Sequence, residues 1–278
     1  PEGVVLLNGV PWSDIASGAP VAAVPLEAVQ AVQVVTTGFA AEHGAATGGV
    51  TVITTRSGLD KRDFSINSFI PRVRLADGGV RGIEAWNPKW SLRGPIAVGR
   101  AWFAQSLDYS WDRTRAYTVA GTQDRRQKGF TALTQLDGRA GTHHVVTAWL
   151  NGQQQHVNAE RLNAFNPLGT VPVFDRSVWG GALIDRAAFG TSTLETRLDA
   201  RHQDTSLEPS GTDAYMVGHD ITRGSYFHTV DRHALAAQAS VVVSRVTTGL
   251  GGHHLFKAGT SVSYRKLKGW ESGRPVTY

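Results

Sequence analysis

At 278 residues the chain is long enough to bury one large hydrophobic core or two modest ones. It contains no cysteine, which excludes a disulfide framework and any thiolate metal site. Its net charge of +5 comes from 28 Lys and Arg spread among 23 acids, with no basic stripe, so nucleic acid is excluded as a partner.

In chain order, the opening Pro1-Glu2-Gly3 has no initiating Met, basic n-region or apolar h-region, so any export signal is expected upstream. Residues 4–11 read as a short buried strand running into a turn at Asn8-Gly9, and residues 17–20 as a loop. Pro25-Leu26-Glu27-Ala28-Val29 reads as a helical turn, with Pro at its start and an acid where a helix N-terminus favours one. Residues 31–36 then form a strand. Residues 38–44 lead to paired glycines, Gly48-Gly49, that feed a β-branched strand from Val50 to Thr55. No run reaches the roughly 18 to 20 apolar residues of a spanning helix. The best attempt, residues 16–35, is broken by Ser17, Glu27, Gln30 and Gln33, so a helical membrane protein is excluded.

Beyond Gly58 the dominant signal has period two. Thr193, Glu195, Arg197, Asp199, Arg201 and Gln203 share one face of a strand, with Leu194, Thr196, Leu198 and Ala200 on the other. Phe256, Ala258, Val262 and Tyr264 alternate with Lys257, Ser261, Ser263 and Arg265, and Phe130, Ala132, Thr134 and Leu136 with Thr131 and Gln135. The pattern predicts about nine strands, near residues 62–72, 84–96, 100–115, 126–137, 142–156, 177–189, 192–206, 232–246 and 253–267. Short turns, such as residues 137–141, 190–192 and 249–252, take turns with longer polar loops at 154–176 and 206–230. Polar faces, runs of about ten residues and alternating loop lengths are what a transmembrane barrel requires, because lipid leaves no backbone group unpaired. Trp90, Trp102, Tyr109, Trp111, Trp149, Trp179, Tyr226 and Tyr264, near strand ends, are candidates for interfacial girdles.

The series Asn8-Gly9-Val10, Pro25 to Val29, Val32-Gln33-Val34, Ala41-Glu42-His43-Gly44, Gly48-Gly49-Val50 and Ile53 to Gly58 resembles the closing part of the plug domain of TonB-dependent outer-membrane receptors. The plug-motif residues are Glu42, Gly44, Gly48 and Gly49, in the form similar to receptors that carry a carboxypeptidase-regulatory-like domain and are related in type to OmpA. Trp90 to Ile96, with Arg100 and Trp102-Phe103, resembles the early barrel hairpin of the same receptors. The resemblance implies a mostly β fold: residues 1–58 as the C-terminal part of a plug, and residues 59–278 as the antiparallel first part of an incomplete transmembrane barrel. Family barrels close with twenty-two strands, so an isolated piece is expected to be unstable, and the chain reads as an internal part of a longer protein.

The implied function is energised uptake of a scarce ligand such as a siderophore, glycan or peptide, in the bacterial outer membrane. The implied partners are TonB, reached through a segment upstream of Pro1, outer-membrane lipid and the small ligand. Candidate ligand residues, chosen by loop position, are Gln154, His156, Arg161, Asp213, Tyr215, His219, Tyr226 and His228. No catalytic residue, cofactor or metal is expected. The sequence holds no phosphate-binding glycine loop, Gly-x-Ser-x-Gly elbow or His-Glu-x-x-His pair. Glu42-His43, His143-His144 and His253-His254 are adjacent pairs whose members point to opposite faces of an extended chain, so none makes a site. Two alternatives remain: a secreted soluble all-β module, binding or cleaving carbohydrate, and a non-transporting structural or adhesive barrel. A plug-like segment argues against both, and no convergent carboxylate pair marks a glycosidase.

Overall fold

The computed structural model describes residues 3–19, 24–37, 48–76, 78–249 and 251–278. The N-terminal part forms a four-stranded sheet from β1 (Val4–Leu7), β2 (Val10–Pro11), β3 (Val29–Val35) and β4 (Val50–Thr55), in the order β2-β1-β4-β3. β1 and β4 run parallel, with Val4 to Leu7 beside Val50 to Ile53, and the other pairs are antiparallel. Asn8 and Gly9, both at positive φ (50° and 85°), make the two-residue turn between β1 and β2, the backbone form that Asn-Gly favours. Pro25 leads into a single 3-10 turn, Leu26–Ala28, that hands over to β3. Gly49 (φ 138°) enters β4, its carbonyl accepting from the Val4 amide at 3.0 Å. Glu42 and Gly44 lie outside the described residues.

The rest is one open sheet of eleven strands, plus a small one. Its strands are β5 (Asp63–Asn67), β6 (Arg72–Ala76), β7 (Gly79–Trp86), β8 (Lys89–Ala97), β9 (Ala101–Thr118), β10 (Gly121–Ala140), β11 (His144–Val157), β12 (Val173–Phe189) and β13 (Ser192–Glu208). There follow β14 (Tyr215–Val217), β15 (Thr222–Arg223), β16 (His228–Gly249), β17 (Gly252–Gly273) and β18 (Val276–Thr277). From β9 to β17 neighbours pair antiparallel in sequence order, with β14 and β15 set aside to form a three-stranded sheet with β18. On its other side β9 pairs first with β8, which pairs β5, and then with β7, which pairs β6.

Two of the nine expected strands run across breaks, and nearly all of β6, most of β7, and β14, β15 and β18 lie outside the nine. Residues 62–72 hold β5, then Ser68 (φ 53°) and Pro71, and only the first residue of β6, and residues 84–96 span the end of β7, a break at Asn87-Pro88, and β8. A proline lacks the amide a ladder needs, so each break falls where pairing is interrupted anyway. The other seven coincide with β9 to β13, β16 and β17. β11 runs on to Val157, so the loop expected from residue 154 begins at 158, and Gln154 and His156 lie on a strand.

The two faces of the large sheet differ in what covers them. One face carries the four-stranded unit. Leu133, Trp149, Val178, Ala182 and Ile184 of the wall join Val5, Leu7, Val10, Trp12, Ala28 and Ile53 of that unit in one buried cluster. Cross-strand register places Gln135, Asn151, Gly180 and Arg201 on this inner face too, so the charged face of β13 points toward the four-stranded unit. The opposite face is apolar and bare: Leu150 is 69% exposed, Leu198 50% and Val262 75%. A soluble sheet buries its apolar face and wets its polar one; here the arrangement is reversed, as a lipid-facing barrel wall demands.

Candidate functional site

The polar inner face holds the four-stranded unit through named contacts. Three alternate residues of β13 grip the β1–β2 hairpin and the turn that follows it. The Arg197 guanidinium donates to the Gly9 carbonyl at 2.8 Å, and that of Arg201 to the Pro11 carbonyl at 3.2 Å. The Gln203 amide donates to the Asp14 carboxylate, and its Oε1 accepts from the Ile15 amide at 3.4 Å. Arg201 also lies 5.3 Å above the Trp12 ring. Strand alternation delivers all three side chains to one side, which is why a period-two charged face became a docking surface.

A chain of hydrogen bonds crosses the same junction between β4 and β10. Asn8 Nδ2 donates to Thr55 Oγ1 at 2.7 Å, while the Thr55 amide donates back to Asn8 Oδ1 at 2.9 Å. The Thr55 hydroxyl donates to Gln135 Oε1, and Gln135 Nε2 donates to Asp137 at 2.9 Å. Asp137 in turn accepts from the Thr147 hydroxyl at 2.8 Å. Thr55, Gln135 and Thr147 are buried, so removing one member leaves another unpaired out of water. Further along, the Leu26 amide donates to Asp108 at 3.0 Å and Asn67 to Glu27 at 3.0 Å.

The Asp14 carboxyl is held below the usual carboxylate range. Burial pushes it up, but the Ser17 amide, the Gln203 side chain, the Ser17 hydroxyl and the Ala16 amide together outweigh that. Asp60, in the connection between the two sheets, is likewise lowered, by hydrogen bonds from the Trp102 indole and the Gly99 amide.

A second cluster lies at the long-loop end of the sheet. Tyr215 and Tyr226, both buried, meet edge-on with ring centroids 6.0 Å apart, and Phe227 packs 4.9 Å from Tyr226. The Arg161 guanidinium sits 5.4 Å over the Tyr226 ring. Burial raises the Tyr226 hydroxyl pKa, against the opposing pull of Arg161. Arg274 ties the cluster to β17 by donating to the carbonyls of Tyr226 (2.6 Å) and Gly211 (3.1 Å). His228 Nε2 lies 2.8 Å from Glu271, which also binds Arg232.

Of the ligand residues nominated by loop position, Arg161, Tyr215 and Tyr226 are thus in one cluster, with His228 at its edge. Asp213 touches it through its backbone carbonyl, which accepts from the Ser225 amide at 3.3 Å. His219 stands fully exposed beside Asp220 and apart from the rest. Gln154 and His156 point from β11 to the outer face, where His156 Nδ1 lies 2.7 Å from Asp175. Of the histidine pairs, His143 stacks on Phe189 and His144 pairs with Asp185 at 2.8 Å, while His253 and His254 bond to Thr248 and the Gly249 carbonyl. Among the described residues no three His, Asp or Glu converge as a metal site.

Sequence reasoning did not nominate Trp12, Asn8, Thr55, Gln135, Arg197 or Gln203 as junction residues. The available signal was the run of polar residues on one face of 193–203.

No protein-family model and no curated protein matches the sequence. Among solved structures, the chain is similar to the siderophore receptor PirA from Acinetobacter baumannii, with TM-score 0.68 and 12% identity, over 96% of this chain and 41% of that one. It is also similar to the pyoverdine outer-membrane receptor FpvA from Pseudomonas aeruginosa PAO1, with TM-score 0.68 and 11% identity, over 96% and 40%. A third likeness is to the outer-membrane transporter YddB from Escherichia coli, with TM-score 0.64 and 12% identity, over 97% and 41%. The chain therefore spans about two fifths of the length of these receptors. At such identities the likeness is one of fold, and it covers the four-stranded unit and the wall together. The chain has the fold of part of a TonB-dependent outer-membrane receptor: a plug-like sheet seated against an incomplete β-barrel wall.

Proposed function

We propose that this chain belongs to an outer-membrane receptor that takes up a scarce ligand with energy supplied through TonB. Residues 1–58 serve as the end of the plug and residues 59–278 as the first part of the barrel wall. The observation that carries the reading is the inverted sheet: its polar face holds a folded unit through Arg197, Arg201 and Gln203, while Leu150, Leu198 and Val262 on the other face are bare. Only a hydrocarbon surround makes that bare face favourable. Reading the long loops 158–172 and 209–227 as the external side puts the short turns after β8, β10, β12 and β16 in the periplasm, the usual asymmetry of such barrels, and leaves the short β9–β10 turn outside.

The ligand site we assign is the external cluster of Arg161, Tyr215 and Tyr226, with His228 and Asp213 near it and His219 apart from it, fully exposed beside Asp220. Gln154 and His156, on the outer face, are the weakest members of the set. A guanidinium beside phenolic rings suits an anionic, ring-bearing ligand such as a siderophore chelate, the ligand class of the similar siderophore receptor PirA. Partners follow from the reading: TonB pulling on the plug, lipid around the wall, and the small ligand outside. The chemistry is transport rather than catalysis.

The test is fractionation of the full-length parent protein expressed with its own signal. An outer-membrane product that migrates as a heat-modifiable band, and whose loss impairs growth on a chelated iron source, supports the proposal; a soluble monomer overturns it.

A further inference from the structure

Loop 209–227 leaves β13 and returns to β16, and its two arms meet at a narrow neck. β14 pairs antiparallel with β15, and the turn back passes through Gly224 (φ 81°), where any Cβ would run into the Ala214 carbonyl oxygen. The Ser225 amide crosses the same neck to the Asp213 carbonyl at 3.3 Å. One side chain from outside the loop closes it. Arg274, half-buried just after β17, donates from Nη2 to the carbonyls of Tyr226 at 2.6 Å and Gly211 at 3.1 Å, with that of Ser225 at 3.5 Å. Its own amide donates to the Phe227 carbonyl at 2.7 Å. These carbonyls come from both arms, so a single guanidinium holds the arms together. The neck is also tied to its neighbours. The Ser210 hydroxyl donates to the Gly169 carbonyl at 2.7 Å, and the Thr222 amide to that of Phe165 at 2.9 Å. Loop 158–172 is fastened in turn to β10 and its preceding turn, the Leu168 amide donating to Gln123 Oε1 at 2.7 Å and the Val119 amide to the Ala164 carbonyl at 3.1 Å.

We propose that Arg274 is a positioning residue for the external ligand site, an inference that rests on the assignment of that site given above. By closing the neck of loop 209–227 it sets Tyr226 beneath Arg161 before any ligand arrives. Tyr215 and Tyr226 are buried, so they form a fixed base against which the exposed Arg161 is held. Arg161 lies in the left-handed region (φ 70°), which a non-glycine residue keeps only where its surroundings fix it, and Asn163 Nδ2 donates to its carbonyl at 3.2 Å. An arginine suits the neck because its planar fork of N–H groups meets carbonyls from two directions, where an ammonium offers a compact point charge. A site ordered in advance loses no binding free energy to the ordering of its loops.

The experiment uses the full-length parent protein as wild type, as Arg274→Gln, and as Arg274→Gln combined with Gly211→Cys and Ser225→Cys. A Cβ on Gly211 lies 3.7 Å from the Ser225 Cβ, within the span of a disulfide, and this chain has no cysteine to compete, so oxidation closes the neck without the guanidinium. Ligand-free hydrogen exchange is read at the amides of Ser225, Thr222 and, one loop away, Leu168. Uptake by cells is read with a ferric tris-catecholate chelate as the probe. Arg274→Gln should speed exchange about tenfold at all three amides, including Leu168, which Arg274 does not touch. It should also raise the half-saturating probe concentration several-fold while the maximal rate is kept. The oxidised disulfide should restore both quantities and the reduced form neither. Unchanged exchange at Leu168 in Arg274→Gln overturns the proposal, and so does a disulfide that restores nothing. A fall in maximal rate at unchanged half-saturation also overturns it, because that marks a residue needed only for assembly. Wild-type behaviour separates the two levels of failure. If wild type migrates as a heat-modifiable barrel and takes up the probe, only the role of Arg274 falls; if wild type takes up none, the ligand assignment falls with it.

Discussion

Trp12 of the plug-like sheet meets Trp149 of β11 edge-on, with ring centroids 5.2 Å apart and planes at 71°. Both rings are 2% exposed, and 137 residues separate them in sequence, so the contact exists only when the two sheets are docked. Trp12→Ala removes one ring and leaves a cavity under Arg201, at a cost of about 3 to 5 kcal/mol for a buried Trp. In the full-length parent, hydrogen exchange at β1 and β2 should accelerate strongly while the wall strands stay protected. Unchanged protection of β1 would show that the ring pair does not anchor the plug.

Gly180 has no room for a side chain. A Cβ there would lie 2.7 Å from the Ala200 carbonyl oxygen and 2.9 Å from the Trp12 ring. Gly180→Ala should therefore shift β12 against β13 or displace Trp12, costing about 1 to 3 kcal/mol. Gly169→Ala, at a position open on all sides, is the control and should be neutral. Comparing the temperatures at which each variant loses its heat-modifiable form would check this.

Charge should be tolerated on one face of β16 and β11 and not on the other. Leu150→Arg puts a cation on the bare face, with an expected penalty of about 2 to 4 kcal/mol at the bilayer midplane. Gln238→Arg, opposite Asp199 on the inner face, should assemble much more nearly as wild type. Yield of folded protein in isolated outer membranes reports both, and the reverse order would refute the assignment of faces.

Docking of the plug-like sheet should persist in mild acid. Because the Asp14 carboxyl is held below its ordinary value near 4, its contribution is complete above that value and is lost as pH falls through the lowered one. Protease cleavage of the parent receptor after residue 14 should stay slow down to about pH 4 and quicken below it. Asp14→Asn should cleave faster at neutral pH and lose the acid transition; a transition kept in that variant would assign it to another group.

At the outer loops, Arg161→Gln removes the cation over Tyr226 and with it about 0.5 to 2 kcal/mol of ring contact and anion attraction. If the proposed receptor function holds, ligand uptake by cells carrying the full-length parent should drop several-fold, whereas His219→Ala, remote and fully exposed, should leave it unchanged. Uptake that follows His219 instead would move the ligand site to the loop tip.

Much of the wall was legible in the chain because alternation is a local property. The spacing of Glu195, Arg197, Asp199, Arg201 and Gln203 places them on one face wherever that strand sits, and β9 to β13, β16 and β17 lie where period two put them. The split of residues 62–72 and 84–96 was harder, since continuous polarity masks a break that Ser68 and the prolines make through backbone geometry. At the candidate site Tyr226 and Arg161 were found by loop position, but their contact was not, because 65 residues and a whole hairpin separate them.

The sequence by itself therefore determined that strands of two unlike faces would form, where they turn, and that a plug-like unit precedes them. Only the tertiary structure decided which face turns inward. Alternation is symmetric under exchange of the two sides, and the choice is made by contacts such as Arg197 on Gly9 and Trp12 on Trp149, which join residues far apart in the chain.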